Sequence, residues 1–301
     1  MVSRTRRTSM MSTPMETITD DPATESAGFY WREHDGVRAL ICAPLEADGF
    51  TNAFSTRLGG VSPFPQDALN LAGFNEDEAD NIYENRRRFL RLFEGDWTLA
   101  GCWQIHRADV RVVHDPQEAK PKPGVLGDDQ YCDALVSSTP KILLAVKTAD
   151  CVPILIGDPL TRAFAAVHAG WRGTSVSIVR RAIEQMESEY GAHAANMRAA
   201  IGPAANVCCY EVGSEVIDVF KEFPQAEQLF KPTRDGHARI DLHLANRNQL
   251  LDAGFSADRI HVAPLCTMDR TDLFFSYRRE KQLHGRVGRL MSVIGRRASQ
   301  S

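Results

Sequence analysis

No run of apolar residues in this 301-residue chain approaches the roughly 18 that a membrane-spanning helix needs, so no membrane contact is expected. A dominant charge is missing too. Thirty-five basic residues stand against 39 acidic ones, a net charge of -4, and no field draws the chain to nucleic acid or an anionic surface. Cysteine is sparse and poorly arranged for a disulfide framework. Seven is an odd number, Cys208 and Cys209 are adjacent, and a reducing cytoplasm is the expected compartment. No C-x-x-C pair exists, which removes zinc-finger and thioredoxin readings. The phosphate cradles G-x-G-x-x-G and G-x-x-x-x-G-K-[ST] are absent. So are the G-x-S-x-G elbow and the H-x-E with P-C-x-x-C signature of zinc nucleobase deaminases.

What is present is core material. Apolar residues make up 43% and charged residues 25%, the profile of a soluble globular protein. The length allows one large or two ordinary domains at ~150 residues each. No composition break or repeat marks a second domain, so residues 29–301 read as one. Residues 1–28 are rich in Ser, Thr, Arg and Pro and lack an apolar signal-peptide core, so they read as a disordered extension.

Short apolar stretches alternate with helical patterns along the body. Val37–Leu45, Ala53–Thr56, Trp97–Ile105 and Val110–Val113 read as strands. Glu76–Phe93 reads as a helix with Ile82, Phe89 and Leu92 on one side. Gln117–Asp129, with two prolines and two glycines, reads as a loop. Ile142–Val146, Val152–Ile156 and Ala163–Val167 are branched apolar runs between polar or Gly/Pro punctuation, the pattern of buried strands. Thr174–Tyr190 is an amphipathic helix stopped by Gly191. Arg198–Ile201, Ile260–Pro264 and Phe274–Tyr277 read as strands, Ser214–Phe220 and Leu242–Leu251 as helices. Strict βαβ alternation is lacking, which points to an α/β fold with mixed sheets rather than a doubly wound one.

Three positions carry the chemistry. His106 ends a strand, Cys151 lies in the tight connection between two buried strands, and His168 sits where a third strand breaks into a Gly-punctuated loop. A thiolate and two imidazoles suit zinc, with the fourth tetrahedral position left for water, whose pKa zinc lowers to roughly 7. Asp150 beside Cys151 is a candidate proton acceptor or ligand-orienting group. The plainer alternative is that Cys151 is a small core residue and each His a satisfied polar group.

The strings around these positions closely resemble the core of the laccase-domain family, also called the multicopper polyphenol oxidase or purine nucleoside phosphorylase family. Thr148–Pro159 and Ala165–Thr174 carry the strongest likeness. Phe54–Ser62, Leu69–Leu71, Glu84–Arg86, Ile201–Pro203, Cys209–Gly213, Cys266–Thr267, Phe274–Arg279 and Gly285–Arg286 follow in the family's order. One departure is Arg107, where the family usually has glycine after the first histidine.

The resemblance implies a single-domain α/β/α sandwich, often a homodimer, with zinc held by His106, Cys151 and His168. It implies phosphorolysis of adenosine, inosine and 5'-methylthioadenosine, with adenosine deamination beside it. Purine nucleosides and phosphate are therefore the expected partners. Arg57, next to Gly59 and Gly60, is either a phosphate or ribose clamp or a turn cap. Of Arg278 and Arg279, one is expected to reach the ligand, and Tyr277 or Phe275 to stack on the base. Alternation along a strand would put Phe275 and Tyr277 on one face. Arg172 reads as an anchor for the following helix. Two other chemistries share the triad. One is a copper-dependent polyphenol oxidase, which the nine histidines disfavour because none are paired as His-x-His. The other is a cell-wall quality-control hydrolase acting on muramyl peptides. A zinc that only staples strand ends is the non-catalytic reading.

Overall fold

The branched apolar runs in the middle of the chain set the architecture. A computed structural model describes residues 16–18, 22–64, 66–72, 77–115 and 131–298. The loop expected at Gln117–Asp129 and the first fifteen residues lie outside the described residues. In chain order the strands of the first half are β1 (Glu16–Ile18), β2 (Phe29–His34), β3 (Val37–Cys42), β4 (Phe50–Ser55), β5 (Thr98–Gly101), β6 (Val110–Val112), β7 (Ala134–Ser137) and β8 (Ile142–Thr148). The second half adds β9 (Val152–Gly157), β10 (Phe164–Ala169), β11 (Arg198–Ile201), β12 (Glu211–Gly213), β13 (Phe230–Pro232), β14 (His237–Ile240), β15 (Ile260–Val262) and β16 (Leu290–Arg296). The helices are α1 (Pro22–Ser26), α2 (Ala43–Ala47), α3 (Ala79–Leu90), α4 (Trp171–Ser175), α5 (Ile178–Tyr190), α6 (Ser214–Phe220), α7 (Ala226–Leu229), α8 (Leu242–Asp252) and α9 (Tyr277–His284).

Two large sheets form. One runs β1-β2-β3-β4-β16-β8-β5, the other β15-β11-β9-β10-β7-β6, and β12-β14-β13 make a small third. Both large sheets are mixed: β5 and β8, β6 and β7, and β11 and β15 pair in parallel, the rest antiparallel. Side-chain alternation then builds three layers of core. On β8, Ile142, Leu144 and Val146 meet Leu155, Phe164 and Ala166 of the second sheet, so the sheets pack face to face. The opposite parity of β9 and β10 (Ile154, Ile156, Ala165, Val167) packs with Ile178, Ala182 and Ile183 of α5. The outer face of the first sheet, with Leu143, Ala145 and Val293, packs with Phe89 of α3. Helices thus cover both outer faces, and the β layer of the α/β/α arrangement is two sheets thick. Burial on both faces explains why β8, β9 and β10 are nearly continuous apolar runs.

Several elements differ from their sequence reading. Glu16–Ile18 pairs antiparallel with β2, and α1 follows, within the stretch assigned to an N-terminal extension. The helix expected over Thr174–Tyr190 is two. Gln249 donates to the Thr174 carbonyl and Asn246 to its hydroxyl, and Ser177 takes a positive φ of 58°, which ends α4 before α5 begins. Gly191, at φ 64°, closes α5 as read. Phe274–Tyr277 is not a strand. Ser276 caps α9 by accepting from the Arg279 amide, while Glu280 reaches back to the Ser276 amide. Arg278 and Arg279 therefore lie on a helix, and the strand alternation expected for Phe275 and Tyr277 does not apply. β16 was not anticipated, although it joins β4 to β8 at the centre of its sheet. No helix among the described residues is long and apolar enough to cross a membrane.

Candidate active site

The site sits where the two large sheets meet. Cys151 occupies the connection from β8 to β9, as read from the sequence. His168 shares the parity of Phe164 and Ala166 on β10, so it faces the gap between sheets and is buried. His106 follows β5 on an irregular segment, with a positive φ of 59°. One ligand atom from each of the three lies within 4.8 Å of the others. The two imidazoles meet edge to face with centroids 4.8 Å apart. Gly170 makes room: a Cβ there would stand 3.1 Å from Cys151 Sγ and 3.3 Å from His106 Cδ2.

Asp133, on the approach to β7, organises this trio and was missed. It is fully buried. Its Oδ1 accepts from the His106 amide at 2.9 Å and faces His168 Nδ1 at 2.8 Å. Its Oδ2 accepts from the amides of Arg107 at 2.7 Å and Ile105 at 3.3 Å. One carboxylate therefore fixes both the His106 loop and the His168 ring, leaving His168 Nε2 for the trio. The signal in the sequence was a carboxylate entering a buried apolar run, which is costly unless its charge is answered. Gln104 fastens the same loop to β8 by exchanging hydrogen bonds with the Lys147 backbone, 2.7 and 2.8 Å.

The electrostatics follow from this packing. Burial penalises a Cys151 thiolate, but His168 and His106 beside it prevail and pull the thiol down from 9.0 to about 6. Burial likewise opposes a charged His168, yet Cys151 and Asp133 lift it from 6.5 to about 10. These are two ends of one ion pair. With a cation bound, both would act as the deprotonated ligands that soft and borderline metals need.

Asp150 is placed differently from a free base. Its Oδ1 accepts from Thr267 Oγ1 at 2.7 Å, and its Oδ2 accepts from Ser276 Oγ at 3.0 Å and the Arg278 amide at 2.7 Å. Burial raises its pKa, against those bonds. Its carboxylate ties the start of α9 to the β8–β9 connection, which sets where Tyr277 and Arg278 stand. Arg57 lies apart from the cavity. Its guanidinium pairs with Glu280 at 2.9 Å, donates to the Thr271 and Phe274 carbonyls, and stacks on Phe275 at 4.6 Å. Those contacts tie it to α9 and the segment before it. Gly60 serves backbone approach rather than a ligand, since a Cβ there would lie 2.0 Å from the Ala68 carbonyl oxygen.

A cavity of about 590 Å³ opens over the trio. Lys147, Arg172, Arg278 and Arg289 line it, against the single carboxylate of Asp150. Trp103, Tyr210 and Tyr277 supply ring faces, with Tyr277 about half exposed. Arg278 stacks over Tyr210 at 5.0 Å and donates to the Glu211 carbonyl at 2.7 Å. Arg172 stacks on Trp171 at 4.2 Å while also lining the cavity, so it does more than anchor a helix. Of the residues singled out in the sequence, the fold brings together His106, Asp150, Cys151, His168, Arg172, Tyr277 and Arg278, and leaves Arg57, Phe275 and Arg279 outside. Lys147, Tyr210 and Arg289 were not singled out. Lys147 adjoins a named string, Tyr210 lies within one and Arg289 follows the last, and only tertiary packing gathers them. The arrangement can hold a cation, an anion and a flat aromatic ligand side by side.

Comparison with known proteins gives the family and the fold. Residues 51–297 match the family model described as multi-copper polyphenol oxidoreductase laccase. A Deinococcus radiodurans protein named purine nucleoside phosphorylase is 38% identical over 246 residues, 81% of this chain and 88% of that protein. The Bacillus subtilis purine nucleoside phosphorylase YlmD is 31% identical over 246 residues, 80% of this chain and 87% of that protein. Among solved structures, Bacillus licheniformis hypothetical protein YfiH superposes with a TM-score of 0.79 at 31% identity, covering 89% of this chain and 99% of that one.

Proposed function

The chain belongs to the multi-copper polyphenol oxidoreductase laccase family, and from that membership we propose that it is a zinc-dependent purine nucleoside phosphorylase. One observation carries the reading: three metal donors, four cationic side chains and three aromatic rings converge on one cavity. The names of relatives at 31% and 38% identity support it. Residues 29–301 are proposed as the catalytic domain, working in the reducing cytoplasm, where the seven free cysteines stay reduced.

The donor set fits zinc. One thiolate and two imidazoles are a usual three-ligand set with an open fourth position. Asp133 on His168 Nδ1 is the outer carboxylate such a histidine commonly has. When bound there, zinc supplies Lewis acidity and lowers the pKa of water. The same donors also suit copper, but oxidation of a phenol gives no role to four cations around the cavity.

The chain's own residues would do the rest. Lys147, Arg172, Arg278 and Arg289 hold phosphate and neutralise it, which brings an oxygen against the anomeric carbon. The new C–O bond forms as the glycosidic C–N bond breaks, and the electron pair leaves with the purine. Tyr277, Tyr210 or Trp103 stack on the base and fix its plane. Asp150 is a positioning residue that fixes the start of α9, and with it Tyr277 and Arg278. The volume admits a nucleoside and phosphate together, within the ~300–1,000 Å³ of small-molecule sites. Adenosine, inosine and 5'-methylthioadenosine are the proposed substrates, with adenosine deamination as a side activity at the metal trio.

The test is a product assay on metal-quantified protein, given adenosine with and without phosphate. Phosphate-dependent release of adenine is expected, tracking zinc and lost in Cys151→Ala. Arg278→Ala should lower kcat/KM for phosphate roughly 10- to 100-fold, the equivalent of one charge-assisted hydrogen bond. Metal-loaded protein that releases no base would overturn the reading, and turnover of a muramyl peptide or a phenol instead would replace it.

A further inference from the structure

A second group of soft ligands lies outside the cavity. Cys208, Cys209 and Cys266 bring their Sγ atoms within 4.8 Å of one another and share no residue with the His–Cys–His trio. Adjacent side chains on a strand point to opposite faces, so two neighbouring cysteines rarely converge. Here the chain turns. The amides of Cys209 and Tyr210 both donate to the Asn206 carbonyl at 2.9 Å, and the Asn206 side chain accepts from the Val207 amide at 2.7 Å. The two thiols then stand 3.3 Å apart on one side.

The third thiol comes from a distant segment that the fold holds firmly. Ala204 bridges to Cys266 in parallel, and the Thr267 amide donates to the Ala204 carbonyl at 3.0 Å. The Asn206 amide donates to Cys266 Sγ at 3.4 Å, which fixes where that sulfur points. Cys266 is buried with Ala205 and Met268 in a small apolar cluster, and Cys209 packs against it. Cys208 is exposed, which leaves an entry path.

We propose that Cys208, Cys209 and Cys266 form a second metal site, one that takes a single cuprous ion. The donor set decides the metal. Three sulfurs with no nitrogen or oxygen partner select a soft cation. Structural zinc is almost always four-coordinate, and among the described residues no fourth His, Cys, Asp or Glu joins this group. Binding needs no electron transfer: the cation enters as Cu(I), Cu–S bonds form, and the thiol protons leave to solvent.

The test is an anaerobic titration of the full-length chain with Cu(I) against a chromophoric Cu(I) chelator. Wild type and Cys151→Ala should both hold one equivalent that Cys208→Ser loses, with affinity down at least about a hundredfold. Cys208 is exposed, so Cys208→Ser should fold normally by circular dichroism and keep wild-type nucleoside turnover. Cys266→Ser should repeat the loss. X-ray absorption of the Cu(I)-loaded Cys151→Ala protein should show copper surrounded by sulfur alone. The proposal fails if Cys208→Ser and wild type hold equal copper. It also fails if the three thiols prefer zinc completed by a nitrogen or oxygen ligand.

Discussion

Asp133→Asn should weaken metal binding and the fold together, by amounts the geometry sets. The wild-type carboxylate receives four donors: His168 Nδ1 and the His106 amide on Oδ1, the Arg107 and Ile105 amides on Oδ2. An asparagine keeps the shape but turns one oxygen into a donor. Either orientation of the amide then presents N–H groups to two donors. Two hydrogen bonds to a charged acceptor are lost, at about 1.5–3 kcal/mol each, or roughly 3–6 kcal/mol together. Relaxation of the His106 loop, which lies at the cavity rim, brings the expected loss to the lower end, about 3 kcal/mol.

Metal affinity should fall about 10- to 100-fold, because His168 loses the partner that fixes its ring and tautomer. Chelator competition reads the affinity, and urea unfolding of the metal-free protein reads the stability. A variant that unfolds early yet binds metal as tightly as wild type would refute the claim that Asp133 orients the trio. It would make Asp133 an anchor for the loop alone.

Two further outcomes follow from the same contacts. Arg57→Ala and Glu280→Ala should each destabilise the chain by about 3 kcal/mol, because the surviving partner is left nearly buried. The double variant should lose less than the sum, while KM for phosphate stays unchanged in Arg57→Ala; a phosphate KM that rises with Arg57→Ala would return Arg57 to the site. For the metal-free protein, the Cys151–His168 pair defines a pH window. The depressed Cys151 thiol contributes stability that is full above its ordinary 9.0 and is lost as pH falls through about 6. The raised His168 contributes stability that is full below 6.5 and is lost as pH rises through about 10. Urea midpoints should therefore drop on both sides of that interval, and Cys151→Ala should flatten both flanks; identical profiles for the two proteins would exclude the ion pair.

Legibility in the sequence followed locality. β8, β9 and β10 were readable because burial on both faces leaves unbroken branched runs, and two residues of the His106–Cys151–His168 trio sit at the ends of those runs. β16 was not, because Ser292 and Gly295 interrupt its apolar residues and its place between β4 and β8 depends on pairing across most of the chain. Phe274 and Phe275 made the start of α9 look extended, although Ser276 as cap and Gly285 at φ 70° as stop were both present in the string. The Arg57 motif was read in isolation, whereas its partner Glu280 lies on α9, which the sequence reading had not placed. Asp133 shows in the string only as a charge entering an apolar run; its partners do not show, since the amides it binds belong to a loop far upstream.

The same distinction explains why core and chemistry cannot be separated in this molecule. His168 faces the trio only because β10 pairs Val167 with Ala134 and His168 with Pro153. A slip of one residue would exchange the two faces of β10. Phe164 and Ala166 would leave the space between the sheets, and His168 would turn toward the helices. The apolar alternation that packs two sheets together therefore also aims the imidazole. Asp133 then reads that register, because its carbonyl accepts the His168 amide at 2.8 Å while its carboxylate meets the same residue's ring. Substitutions along β7, β9 or β10 that preserve volume but weaken this pairing should be felt at the His–Cys–His trio before the fold is lost, since the trio tolerates smaller displacements than a hydrophobic layer does.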